Sequence, residues 1–127
     1  MPGDVAQHYD PINFASKFAL FREPWQPKVV AEMNDCQFKL VRVEGDFVWH
    51  DHQDTDEAFI VLDGELRIDF CDGSVVLGAG EMCVVPKGVA HKPFAAKAAK
   101  LLLIEPRGEP NTGGARGERT APNDAWI

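Results

Sequence analysis

The chain has 127 residues, 45% of them hydrophobic and 26% charged, which suits one folded domain spanning 1–127 with a real core. Its 20 acidic and 13 basic residues give a formal net charge of −7, and the Lys and Arg are scattered. Nucleic acid needs a concentrated basic face, so a nucleic-acid partner is not expected. Apolar runs such as Leu101 to Ile104 are far too short to cross a bilayer, so no membrane partner is expected either.

Met1 to Asp10 carries Asp4 and Asp10 without a basic or an apolar stretch, so no signal peptide is read there. The three cysteines, Cys36, Cys71 and Cys83, are widely spaced with no CxxC pair, and are expected to be reduced thiols of a cytoplasmic protein. Cys83, in the apolar run Met82 to Val85, is the one expected to be buried. A domain this small buries only about two-thirds of its unfolded surface, and a homodimer would bury more.

In chain order, residues 1–24 form a lead-in. Phe14, Phe18 and Phe21 have helical spacing behind a capping Asn13, which predicts a short helix or an arm lying on the rest. Trp25 to Pro27 ends any helix. From Lys28 to Glu105 the texture is short β-type runs between turn residues: 29–33, 36–44, 47–52, 57–62, 66–70, 74–77, 82–85, 90–94 and 100–105. Asp63-Gly64, Asp72-Gly73 and Pro86-Lys87-Gly88 mark turns, with Asp72-Gly73 a hairpin signal. This rhythm predicts an all-β sandwich or barrel over about 28–105. Residues 106–127 form a polar tail whose closing Trp126-Ile127 is expected to anchor it to the barrel or to a partner subunit.

The chemistry-bearing residues fall in two clusters. His50 and His52 are two apart on a predicted strand, so both imidazoles point to one face. Glu57 follows past the polar turn 53–56, and His91 comes after Pro86-Lys87-Gly88. Three neutral imidazoles and a carboxylate suit Fe, Mn, Ni, Cu or Zn as the divalent ion, and do not suit Ca or Mg. On spacing alone, His50 and His52 are equally compatible with an exposed pair among acidic neighbours. His8 is read as an exposed terminal histidine.

These residues resemble the two motifs of the cupin superfamily. The first is matched by Gly45, His50-Asp51-His52, Glu57 and Gly64, with four residues between His52 and Glu57 and six between Glu57 and Gly64. The second is matched by Gly80, Pro86-Lys87-Gly88 and His91, and 15 residues separate the two. Two positions depart from the pattern. Gly45 stands one residue closer to His50 than usual, through a bulge or because another glycine is the equivalent one, and Ala95 stands where the second motif ends in Asn.

The resemblance implies a double-stranded β-helix, or jelly-roll barrel, holding one divalent transition-metal ion on His50, His52, Glu57 and His91. Asp56 also fits the spacing after His52, but the six-residue step to Gly64 and the run Phe59 to Leu62 favour Glu57. Asp51, Asp54 and Asp56 are expected in solvent, with one of them free to orient an imidazole. Strand alternation puts Phe47 and Trp49 opposite the histidines, outside the barrel, and gives Phe59 the parity to line the cavity.

Such a site suits an enzyme of oxygenase or isomerase/lyase type acting on a small oxygen-rich or anionic metabolite, with Glu57 exchanging between ligand and catalytic base. The alternative is a non-catalytic module that binds a small ligand or keeps the metal for structure.

Overall fold

The structure is a computed structural model and describes residues 9–115 and 117–127, so His8 lies outside the described residues. A single helical turn, α1 (Phe14–Phe18), precedes seven strands: β1 (Lys28–Met33), β2 (Cys36–Asp46), β3 (Glu57–Asp63), β4 (Glu65–Phe70), β5 (Gly73–Gly78), β6 (Met82–Val85) and β7 (His91–Pro106). α1 starts where Asn13 caps it, its side-chain oxygen accepting from the Ser16 amide at 2.9 Å.

The strands pair antiparallel in the order β1-β2-β7-β3-β6, with β4 joining β5 to β7, and close into a jelly-roll barrel. β7 is its spine. One edge of β7 runs along β2 from Phe94 to Pro106, while the other pairs with β4 over His91–Phe94 and with β3 over 100–104.

The sequence suggests two strands, 90–94 and 100–105, where one 16-residue strand stands. Alanines dominate its middle and have little β preference of their own. Pairs such as Val43 with Ala99 and Gly45 with Ala95 carry the ladder through them, so tertiary pairing overrides local preference. The ladder shifts register between Val43 and Gly45, and Gly45 has φ +80°, which makes this a bulge.

The β4–β5 hairpin forms as expected but turns one residue earlier. Phe70 pairs with Gly73, leaving Cys71 and Asp72 as the turn, and Gly73 already belongs to β5.

Alternation along β2, β3 and β7 divides the apolar residues between two clusters. Val41, Val43, Phe59, Val61, Leu101 and Leu103 face the barrel interior. Leu40 and Leu102 face outward and are covered by Phe18 and Phe21.

Residues 47–52 are not a regular strand; only His50 makes a bridge, to His91. The alternation expected there fails for Phe47, which is buried in the interior cluster and stacked on Trp25 at 4.7 Å, whereas Trp49 is exposed as expected. Cys83 is only part-buried, because β6 is the last strand of the sheet order. Cys36, Cys71 and Cys83 all carry free thiols.

The tail is docked on the barrel. The Val29 amide donates to the Ala125 carbonyl at 2.7 Å, the Ile127 amide donates to the Val29 carbonyl at 3.1 Å, and Ile127 packs on the outer cluster. The anchor is this backbone pairing and Ile127, since Trp126 is half exposed. Near the start of the tail, Arg107 forms a two-pronged ion pair with Glu32 at 2.9 and 3.1 Å.

Candidate metal centre

His50 and His91 are brought together by their own backbones. Each amide donates to the other's carbonyl, at 3.0 and 2.9 Å, which sets the two imidazoles side by side, tilted by 53° with centroids 4.3 Å apart. His52 follows two residues on with its ring on the same side, 5.3 Å from His50. Glu57 opens β3 with its side chain inward. Pairing of β3 with both β6 and β7 sets this orientation and holds Glu57 beside Phe59 and Val61 on the interior face.

One ligating atom from each of His50, His52, Glu57 and His91 lies within 4.8 Å of the other three, and all four residues are buried. Glu57 Oε1 stands 3.2 Å from His52 Nε2 and 3.5 Å from His91 Nε2. Asp56, the rival of Glu57, points elsewhere, its carboxylate accepting from the Lys87 amide at 2.9 Å.

The other nitrogen of each ring is occupied. His50 Nδ1 meets the Val48 carbonyl and His91 Nδ1 the Val89 carbonyl, each at 2.9 Å. A carbonyl only accepts, so these Nδ1 atoms carry the protons and the Nε2 lone pairs face inward. His52 Nδ1 meets Glu109 Oε1 at 2.9 Å. None of the nearby aspartates fills this role, contrary to the expectation for Asp51, Asp54 or Asp56. Sequence reading missed Glu109, because one glutamate in a polar tail carries no local signal.

His52 Nε2, His91 Nε2 and Glu57 Oε1 are buried without a hydrogen-bond partner. Buried polar atoms are nearly always satisfied, and converging lone pairs call for a proton, a water donor or a metal ion between them. The protein's own chemistry offers a proton on His52. Burial lowers this group's pKa, but the close approach and charge of Glu57, with help from Glu105 and Glu109, outweigh it and raise the value to about 9. Burial, reinforced by His91, pushes His50 down to about 4 and keeps it neutral. Burial would raise Glu57, but His52 and His91 hold its carboxyl below the usual carboxylate range. Three imidazoles and a carboxylate around one point also form a donor set for a divalent transition metal, so the residues fit such an ion.

Aromatic rings wall the cluster. Phe59 stands edge-on to His91 at 5.8 Å, as its parity suggests, and Phe47 is edge-on to His50 at 5.4 Å. The space beside His50 and Glu57, lined also by Trp25, Leu103 and Asn111, measures about 30 Å³. That is room for one or two water molecules.

Comparison with known proteins agrees with the fold and the residue pattern. Residues 39–105 match the model of the cupin domain, and the chain belongs to the cupin family. A crystal structure of a cupin-2 domain containing protein from Shewanella frigidimarina NCIMB 400 is 58% identical with a TM-score of 0.76, covering 80% of this chain and 98% of the other. Protein NMB1881 from Neisseria meningitidis is 38% identical with a TM-score of 0.70, over 76% and 99% of the two chains. The uncharacterized protein YdbB of Bacillus subtilis (strain 168) is 45% identical over 77 residues, which is 60% of this chain and 68% of YdbB.

Proposed function

We propose that this chain binds one divalent transition-metal ion on His50, His52, Glu57 and His91 and uses it as an enzyme of oxygenase or isomerase/lyase type. The carrying observation is the convergence of one ligating atom from each of four buried residues, three imidazoles and a carboxylate, within 4.8 Å of one another. A bound ion would supply Lewis acidity to a coordinated oxygen of a small oxygen-rich or anionic metabolite. The chain's own residues aim the imidazoles through Val48, Val89 and Glu109, and exclude bulk water with Phe47 and Phe59. Glu57 is the proposed catalytic base, exchanging that role with ligation.

The small size of the interior space favours a second reading, a metal-stabilised module without turnover. Metal content of protein purified without added metal tests the site: about one equivalent is expected, and His50→Ala is expected to lose it. Unchanged metal content in His50→Ala would mean that the ion sits elsewhere. Oxygen uptake and turnover across a panel of keto- and hydroxy-acids separate the two readings; metal without any turnover leaves the stabilised module.

We also propose a homodimer in the cytoplasm. Free thiols, including exposed Cys71, suit a reducing compartment. Among the described residues no helix is long and apolar enough to cross a membrane. The dimer reading rests on the outer sheet face, where cross-strand register sets Phe38, Ile104, Ala58 and Val84 in one row. Met82 and Val84, at the β6 end of that face, are about half exposed.

A further inference from the structure

Two of the three imidazoles in the cluster are oriented locally. His50 and His91 each use the carbonyl two residues earlier in the chain, so the loop that carries the ring also aims it. His52 differs. Its Nδ1 depends on the Glu109 carboxylate, 57 residues away and outside both motifs.

Glu109 is itself fixed from several directions. Its backbone carbonyl accepts from Lys39 Nζ at 3.2 Å, and Lys39, buried in β2, is held by Glu105 at 2.9 Å. Just beyond it, the Asn111 side chain donates to the Trp25 carbonyl at 3.0 Å and to the Arg119 carbonyl at 2.7 Å, and accepts from the Ala121 amide at 2.9 Å. Thr112 is fully buried, and the Gly114 amide donates to the Asp51 carbonyl at 3.2 Å, inside the His50-Asp51-His52 stretch. Gly113 has φ +55° and runs so close to the Asp51 carbonyl that a Cβ has no room. The segment is built against the histidine loop at side-chain and backbone level.

We propose that Glu109 is a positioning residue of the metal centre and that residues 109–114 form the centre's outer wall, so that metal affinity depends on a group outside the two motifs. The inference rests on the metal reading above. A carboxylate accepting from Nδ1–H fixes the ring's tautomer and tilt and raises the basicity of the opposite nitrogen. It also places a second negative charge behind the site. A divalent ion held by Glu57 and backed by Glu109 is close to neutral, which suits a neutral or singly charged chelating substrate better than a multiply charged one.

Zn(II) affinity by competition with a chromophoric chelator, together with the visible spectrum of the Co(II) form, tests this on the full chain. Glu109→Ala is expected to weaken Zn(II) binding by about 10- to 100-fold and to shift the Co(II) bands, with unchanged far-ultraviolet circular dichroism. Glu109→Gln keeps an acceptor oxygen but not the charge, and is expected to recover part of the affinity and the wild-type band positions. His50→Ala serves as the control for the site itself. If Glu109→Ala binds Zn(II) within twofold of wild type while His50→Ala loses it, Glu109 has no positioning role and the proposal falls. Equal losses in Glu109→Ala and Glu109→Gln would overturn it too. If wild type and His50→Ala bind Zn(II) alike, the metal reading fails and takes this inference with it.

Discussion

Gly64 turns the chain from β3 into β4 at φ +89°, with Ala99 of β7 packed directly against it. A Cβ at this position would stand 2.9 Å from the Ala99 Cβ and 3.3 Å from the Ala98 carbonyl oxygen. Gly64→Ala therefore combines a left-handed backbone with a clash, each costing about 1–2 kcal/mol or more. Thermal unfolding is expected at a clearly lower temperature, and Ala99→Gly in the same chain should recover the packing part only. No drop in Gly64→Ala would mean that the turn has a second conformation. The sequence showed this glycine as a turn signal with six residues between it and Glu57, but its contact with Ala99 depends on a strand 35 positions further on. The same contrast holds across the centre. His50, His52, Glu57 and His91 were legible because ligation demands those residue types at those spacings. Glu109 and the inward turn of Phe47 were not, since one depends on where the tail docks and the other on the loss of strand geometry after Asp46.

Among the elements, β7 departs most from its sequence pattern, and it also carries a buried carboxyl group that feels the charge of Glu57. Glu105, near its end, is paired in register with Gln37, and its carboxyl oxygen accepts from the buried Lys39 Nζ at 2.9 Å. Burial, together with the charge of Glu57, pushes the Glu105 carboxyl up to about 8 despite Lys39. A carboxyl raised on folding keeps a proton that the unfolded chain has already released. Stability from this group is therefore full below about pH 4.5 and falls as pH rises toward 8, by an amount on the order of a few kcal/mol. Unfolding midpoints measured from pH 5 to 8 should decline in wild type, and Glu105→Gln should flatten part of that decline. Equal slopes in the two proteins would show that Glu105 titrates normally. Strand alternation on β2 was readable from sequence, but a lysine and a glutamate at interior positions were not, because such residues are almost always at the surface.

At the scale of the whole molecule, Phe18 of α1 and Phe21 cover the outer sheet face around Leu40 and Leu102, with Ile60 and Ile104 packed part-buried beside them. Beyond this cover the register continues the apolar rows through Ile60 to Met82 and through Ala58 to Val84. For the proposed dimer, light scattering is expected to give twice the chain mass, and Met82→Glu with Val84→Glu is expected to give one chain mass with unchanged metal content. A wild-type monomer would leave this face without a partner copy.

The central place of β7 also governs how the chain reaches this shape. Before residues 91–106 are available, the only strand pairs that can form are β1 with β2, β4 with β5, and β3 with β6. None of these joins the halves of the barrel, and loop-closure entropy opposes the long-range pairs that do. Folding is thus expected on the slow, millisecond-to-second side for a chain of this size. On the ribosome the barrel stays open until its spine has emerged, and the outer wall of the histidine cluster is set in place after that.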